Sequence, residues 1–262
     1  MLDSSLLRVS DRLALLALPA VRSALRGQIG RAIEYHRSIG STQDRARSLA
    51  ADGAPPTVVV ADGQTAGHGR GDRRWQAAPG QALLASWLLR PVPSEPALFS
   101  LLAGVAVCRA LDALGVDGGG LKWPNDVWYG GRKVAGVLAH ATADSLVVGI
   151  GVNVSAERAD LPPELADRAT SLRIAGHQVD RLALLVRLSA ELDRVADPAS
   201  RGAALEAWRA RAVMLGREVE VREAGRPPFR ARAESLAEDG ALVVRTAYGQ
   251  QRILAGEVSL VV

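Results

Sequence analysis

The chain has 262 residues, of which 48% are hydrophobic, a net charge of +4 and a single cysteine, Cys108. That is enough apolar material to bury a core in one medium domain plus a small one, and it excludes wholesale disorder. No apolar run approaches the roughly 20 residues that span a bilayer, one cysteine makes no internal disulfide or thiolate cluster, and a small, dispersed positive excess reads as a solvated arginine-rich surface.

Residues 11–26 have helical apolar spacing interrupted by Pro19. The apolar run 13–21 has no basic segment before it and no clear small-residue cleavage site after it, so it does not read as a signal peptide. Residues 32–37 form a short strand, and Ser41 or Thr42 caps a helix that ends at Asp52-Gly53. Residues 57–61 are a β-branched strand, residues 63–80 a long glycine- and arginine-rich loop, and residues 83–89 a returning strand. A helix apolar on most faces follows at 95–114, then strands at 121–123, 134–140 and 146–154, then helices at 181–195 and 200–213. From Gly216 the pattern changes to four or five short strands split by turns at Glu223-Ala224-Gly225, Glu238-Asp239-Gly240 and Tyr248-Gly249, which suits a small β-barrel. The expected organisation is a short N-terminal helical segment over 1–30, an α+β domain with a mixed sheet over 31–214, and a barrel over 215–262.

Residue usage points to one region. Of the 32 lysines and arginines only Lys122 and Lys133 are lysines, and the asparagines are Asn125 and Asn153 alone. Where arginine stands almost everywhere, a surviving lysine marks a place that needs a compact point charge rather than a planar fork. The segment Lys122-Trp123-Pro124-Asn125-Asp126 gathers a cation, an indole, an amide and a carboxylate, and Gly130-Gly131 after it makes a hairpin turn. The hairpin would bring the two lysines near each other or into one cleft, where two ammonium groups and a carboxylate suit a triphosphate, magnesium and a developing acyl phosphate. Gly149-Ile150-Gly151-Val152-Asn153 offers close backbone approach to a flat ligand. In the loop from Gln64 to Trp75, glycines alternate with Arg70, Arg73 and Arg74, a pattern suited to an anion but neither a Walker A loop nor a Rossmann fingerprint. The four histidines, His36, His68, His140 and His177, have no metal-ligand spacing.

In order and spacing these segments resemble the biotin–protein ligases, over roughly residues 33–172 and again at the C-terminus. Ser41-Thr42-Gln43 resembles the family's Ser-Thr-Asn, Gln64 to Trp75 its adenylate loop, Lys122 to Asp126 is its Lys-Trp-Pro-Asn-Asp unchanged, Arg132 to Gly136 resembles Arg-Lys-Leu-Ala-Gly, and Gly149 to Asn153 its Gly-x-Gly-x-Asn. The resemblance implies a fold related to class II aminoacyl-tRNA synthetases followed by an SH3-like barrel. It implies ATP-driven conversion of biotin to biotinyl-5'-AMP, then transfer to a lysine of a biotin carboxyl carrier protein. Ser41, Thr42, Gln64, Gly67, Lys133, Gly136 and Gly149 would line the biotin pocket. Arg70, Arg73, Trp75, Lys122, Asn125 and Asn153 would hold ATP or the adenylate, and Lys133, Arg70 and Asp126 would be catalytic. Magnesium would come with ATP near Asp126, without a protein-only site. Gln43 for asparagine affects a helix start more than chemistry; His68 stands where arginine is usual and Gly71-Asp72 replaces a more basic pair, so the loop carries less charge than the family pattern. About thirty residues precede the match, too few for the winged helix with which some members bind DNA, so the expected protein is a cytoplasmic monomer or homodimer with no DNA or membrane partner. The barrel's place after a complete adenylation site assigns it to the second step more than to the first. A lipoate- or octanoate–protein ligase of the same superfamily, and a non-enzymatic nucleic-acid binder using the arginine-rich loop, are the alternatives.

Overall fold

The structure is a computed structural model that describes residues 32–261 together with Leu25 and Ile29; the helix expected over 11–26 and the segment 1–30 lie largely outside the described residues. Twelve described strands are β1 (Ala32–His36), β2 (Thr57–Ala61), β3 (Ala82–Leu89), β4 (Gly120–Lys122), β5 (Asp126–Tyr129), β6 (Arg132–Ala141), β7 (Leu146–Asn153), β8 (Glu218–Arg222), β9 (Phe229–Leu236), β10 (Leu242–Thr246), β11 (Gly249–Ile253) and β12 (Glu257–Leu260). The described helices are α1 (Thr42–Ala51), α2 (Phe99–Asp112), α3 (Arg181–Ala196) and α4 (Arg201–Arg211). The helix expected over 95–114 begins as a separate 3-10 turn, Pro96–Leu98, because proline fits the first turn, where its missing N–H is not needed.

Seven strands make one mixed sheet in the order β1-β2-β3-β7-β6-β5-β4, with β1 and β2 parallel and the other ladders antiparallel. Alternation along each strand divides its two faces. Leu83, Ala85 and Trp87 of β3 and Val148, Ile150 and Val152 of β7 enter the main core, with α2 pressed on that face and α3 and α4 behind it. Among the described residues the opposite face carries α1 as its one helix, through a small cluster of Ala46, Ala50, Val59, Leu88 and Val147. Beyond α1, the loop 63–80 reaches that face, with Trp75 against Gly136 and Gly151.

The five C-terminal strands form a second, antiparallel sheet in the order β11-β10-β9-β8-β12. The turns expected there carry Gly225, Gly240 and Gly249 at φ of 75°, 83° and 115°. The edge strands β11 and β12 share no ladder, so the expected small barrel is one five-stranded sheet not closed by hydrogen bonds. It is fused to the larger part: the buried indole of Trp123 donates to the Gly240 carbonyl at 3.0 Å, and Arg209 of α4 donates to Leu236 O at 3.0 Å.

A buried polar cluster ties β1, β2 and α3 together. Arg181, 1% exposed, lies 2.9 Å from Asp62, which accepts from the Tyr35 hydroxyl. Burial, then the hydrogen bond to Asp62 and its charge, push the Tyr35 phenol up to about 12, against the opposing charge of Arg181. An unfolded tyrosine titrates near 10, so this contribution is fully present below about pH 10 and is lost as the pH rises through about 12. Urea unfolding of Tyr35→Phe against pH should therefore show a shallower loss of stability in that window than the parent; equal slopes would reject the cluster's linkage.

Candidate active site

Strand geometry assembles the candidate site on the face that carries α1. In the β5–β6 ladder Val127 opposes Ala135 but Trp128 opposes Lys133, so Val134 is an extra residue. This β-bulge reverses the alternation of β6. Val134 turns into the core, and Lys133 joins Gly136 on the face of α1, its Nζ 3.1 Å from where a Gly136 Cβ would stand. Asp126 opposes both Lys122 and Gly136, which puts Lys122, Asp126, Trp128 and Lys133 side by side.

Lys133 Nζ lies 2.6 Å from Asp126 Oδ1 and 5.7 Å from the centre of the Trp75 ring, and Lys122 Nζ lies 5.4 Å from that of Trp128. Burial pushes the Lys122 ammonium below its ordinary range and the charge of Lys133 adds to this, while Asp126 opposes it. Two cations are thus crowded beside one carboxylate, and an incoming polyanion would relieve both the burial cost and the repulsion. Trp75 lies flat on Gly151, where a Cβ would fall 2.5 Å from the indole, and its Nε1 is buried without a partner.

The loop that delivers Trp75 is a small hairpin. Trp75 N donates to Gly67 O at 3.0 Å and Gly69 N to Arg73 O at 2.7 Å, with Gly71 in the left-handed region at the tip. His68, which stands where the family pattern has arginine, lies 2.7 Å from Asp44 and pins the hairpin to α1. Two of the expected anion-binding arginines point elsewhere: Arg70 donates to the carbonyl of Gly256, in the turn before β12, and Arg73 pairs with Glu257 of β12.

A second cluster gathers Ser41, Thr42, Gln64 and Gly149. Ser41 caps α1, its Oγ accepting from Asp44 N at 3.3 Å. Gln64 Oε1 accepts from Thr42 N at 2.7 Å and from Thr42 Oγ1 at 3.0 Å. Ser86 and Gln43, absent from the expected site, complete it: Ser86 Oγ is 2.9 Å from Thr42 Oγ1. A lone serine in the apolar strand β3 was the available signal for Ser86. The two asparagines brace backbone: Asn125 Nδ2 donates to Val137 O at 2.8 Å and Asn153 Nδ2 to Thr170 O at 3.0 Å.

Residues 35–156 match the Biotin/lipoate A/B protein ligase family, and residues 214–261 match the Biotin protein ligase C terminal domain. The chain is 33% identical over 254 residues to the bifunctional ligase/repressor BirA of Bacillus subtilis, covering 92% of this chain and 78% of that protein. The chain belongs to the biotin protein ligases. The biotin–[acetyl-CoA-carboxylase] ligase of Mycobacterium tuberculosis is 33% identical over 239 residues, 87% of this chain and 88% of its own. The biotin protein ligase of Aquifex aeolicus, solved with biotin and ATP, superposes with a TM-score of 0.76 at 32% identity over 88% of this chain and 99% of its own.

The site of this biotin protein ligase fits the ligands its family implies. The orphaned Trp75 N–H suits an acceptor atom of a ligand, the glycines at 136 and 151 seat the indole against the sheet, and Lys122 and Lys133 suit phosphates. Among the described residues no group of three or more His, Cys, Asp or Glu could hold a metal ion. A magnesium ion bound through phosphate oxygens and one carboxylate fits Asp126.

Proposed function

We propose that this protein activates biotin with ATP and passes it to a lysine of a biotin carboxyl carrier domain. The observation that carries the reading is the pairing of Lys133 with Asp126 at 2.6 Å beside Lys122, on the sheet face floored by Gly136 and Gly151. In the first step a carboxylate oxygen of biotin attacks the α-phosphorus of ATP. The new P–O bond replaces the bond to the β-phosphate, and pyrophosphate leaves. Both reactants are anions, so the protein's task is to hold them together under fixed cations. Lys133 bridges the biotin carboxylate and the α-phosphate, and Lys122 faces the remaining phosphates. Bound magnesium, held through Asp126, would neutralise phosphate charge. In the second step the acceptor amine attacks the acyl carbon, the C–O bond to phosphate breaks, AMP leaves and the amine proton passes to solvent. No protein nucleophile is needed. Ser41, Thr42, Gln64, Gly67, Gly136 and Gly149 frame the biotin, Trp75 packs against the adenylate, and Asn125 and Asn153 hold the strand ends on which ATP rests. The division into catalytic and C-terminal parts falls at residue 215. Biotin-dependent ATP–pyrophosphate exchange with magnesium tests the reading, with lipoate as the competing acid; exchange driven by lipoate and not by biotin would overturn it.

Arg70 retains the adenylate. Its guanidinium already bridges the hairpin to Gly256, and an adenylate phosphate would give it a second, charged partner. Arg70→Gly should still make the intermediate but hold it more weakly by about 1.5–3 kcal/mol, the range for a hydrogen bond to a charged group. Incubated with biotin, ATP and a lysine-rich bystander protein, the variant should label the bystander more than the parent does. Equal labelling with adenylate synthesis intact would reject the role.

A further inference from the structure

The two lysines of the site each stand over an indole, Lys133 over Trp75 and Lys122 over Trp128. They differ in their other partners. Lys133 is paired with Asp126, whereas among the described residues the Lys122 ammonium has no ion pair and no hydrogen bond, and the Trp128 ring is the group it rests on. Lys122 ends β4, at the edge of the large sheet. A lysine stem is flexible, and fixing its ammonium in one place costs rotamer entropy unless something holds it.

Strand register places Trp128 to do this. In the β4–β5 ladder Gly120 opposes Trp128 and Asp126 opposes Lys122, so Lys122 is the diagonal neighbour of Trp128, a separation that a long side chain and an aromatic one can span. Gly120 brings no side chain of its own to that place. The ammonium lies 5.4 Å from the ring centre, inside the roughly 6 Å over which a ring face attracts a cation. Both residues are half-buried, and a partly desolvated contact of this kind is stronger than an exposed one.

The choice of an indole is a second observation. Nε1 of Trp128 is buried without a hydrogen-bond partner. Phenylalanine or leucine would bury apolar surface here without stranding a donor. Packing therefore does not explain the residue, and the indole face, the most attractive of the aromatic faces toward a cation, does.

We propose that Trp128 is a positioning residue for the nucleotide, its ring face holding the Lys122 ammonium where the phosphates beyond the α-phosphate of ATP arrive. The inference rests on the reading of Lys122 as a phosphate contact. Trp128 acts through Lys122, so its effect falls on ATP and spares biotin, which Ser41, Thr42 and Gln64 frame.

The experiment is pyrophosphate exchange by the full chain with ATP and biotin varied separately. No biotin-dependent exchange by the parent would overturn the proposed function and this inference with it, whereas a defect confined to the variants bears on Trp128 alone. Trp128→Leu should raise the KM for ATP about five- to twentyfold and leave the KM for biotin within about twofold of the parent's. Trp128→Phe, which keeps a ring face and removes the N–H, should fall between the two. An unchanged KM for ATP in a folded Trp128→Leu overturns the proposal. So does a Trp128→Phe as impaired as Trp128→Leu, which would assign the effect to the N–H. Fluorinated tryptophans placed at position 128 alone keep the shape and the N–H while draining the ring face of electron density. Across them the KM for ATP should climb with each added fluorine and the KM for biotin should not. A flat series would overturn the proposal even where Trp128→Leu fails to fold.

Discussion

Lys133→Ala is expected to lower biotin-dependent pyrophosphate exchange by about a hundred- to a thousandfold, the scale for removing one preorganised stabiliser of transition-state charge. Lys133 is placed for this by a single backbone event, the bulge at Val134, which turns it out of the core and over Gly136. Its ammonium sits between the Asp126 carboxylate at 2.6 Å and the Trp75 ring at 5.7 Å. The variant should fold, since the side chain is one-third exposed and the strand ladder does not depend on it. Lys133→Arg should also lose at least about tenfold, because a planar fork cannot occupy a point-charge position between a carboxylate and an indole face. Exchange and circular dichroism measured together decide the matter. Near-normal exchange by the arginine variant would show that any cation suffices and would undo the argument from lysine scarcity.

Cutting the chain after Leu215 is expected to abolish both half-reactions, through loss of the fold. The position of the C-terminal strands after a complete adenylation site favours a role in transfer alone, but the contacts argue otherwise. Val219, Val221, Ala231, Leu236, Leu242 and Val244 belong to the same buried cluster as Trp123, Leu98 and Leu121. Each side chain left exposed forfeits about 1.5–3 kcal/mol, and several together exceed the total stability of about 5–15 kcal/mol typical of a domain. Trp123 is flanked by Lys122 and Pro124, so losing its bond to Gly240 disturbs the strand that carries the site. Circular dichroism, thermal unfolding and exchange on the truncated chain test this. A cooperatively folded product with normal exchange would return the C-terminal sheet to the second step.

Much of this was legible along the chain. The β-branched run 57–61, the cap at Ser41, the glycine turns of the C-terminal strands and the concentration of lysine and asparagine between 122 and 153 are local signals, carried by residues a few positions apart, and the structure places strands, a helix start, turns and a site there. Gln43 and Ser86 were not legible as site residues. A glutamine in the first turn of a helix is ordinarily solvated, and only the stacking of α1 across β3 and β7 buries it against Leu138 and Gly149. The same holds for Asp62 with Arg181, 119 residues apart in the chain, and for Arg70 and Arg73, whose charge suggested an anion while their partners came from β12 and the turn before it. Local periodicity specifies which face of an element is apolar. It carries no information on which distant polar atom meets a buried donor or acceptor, because that choice follows from sheet order and register once the whole chain has packed.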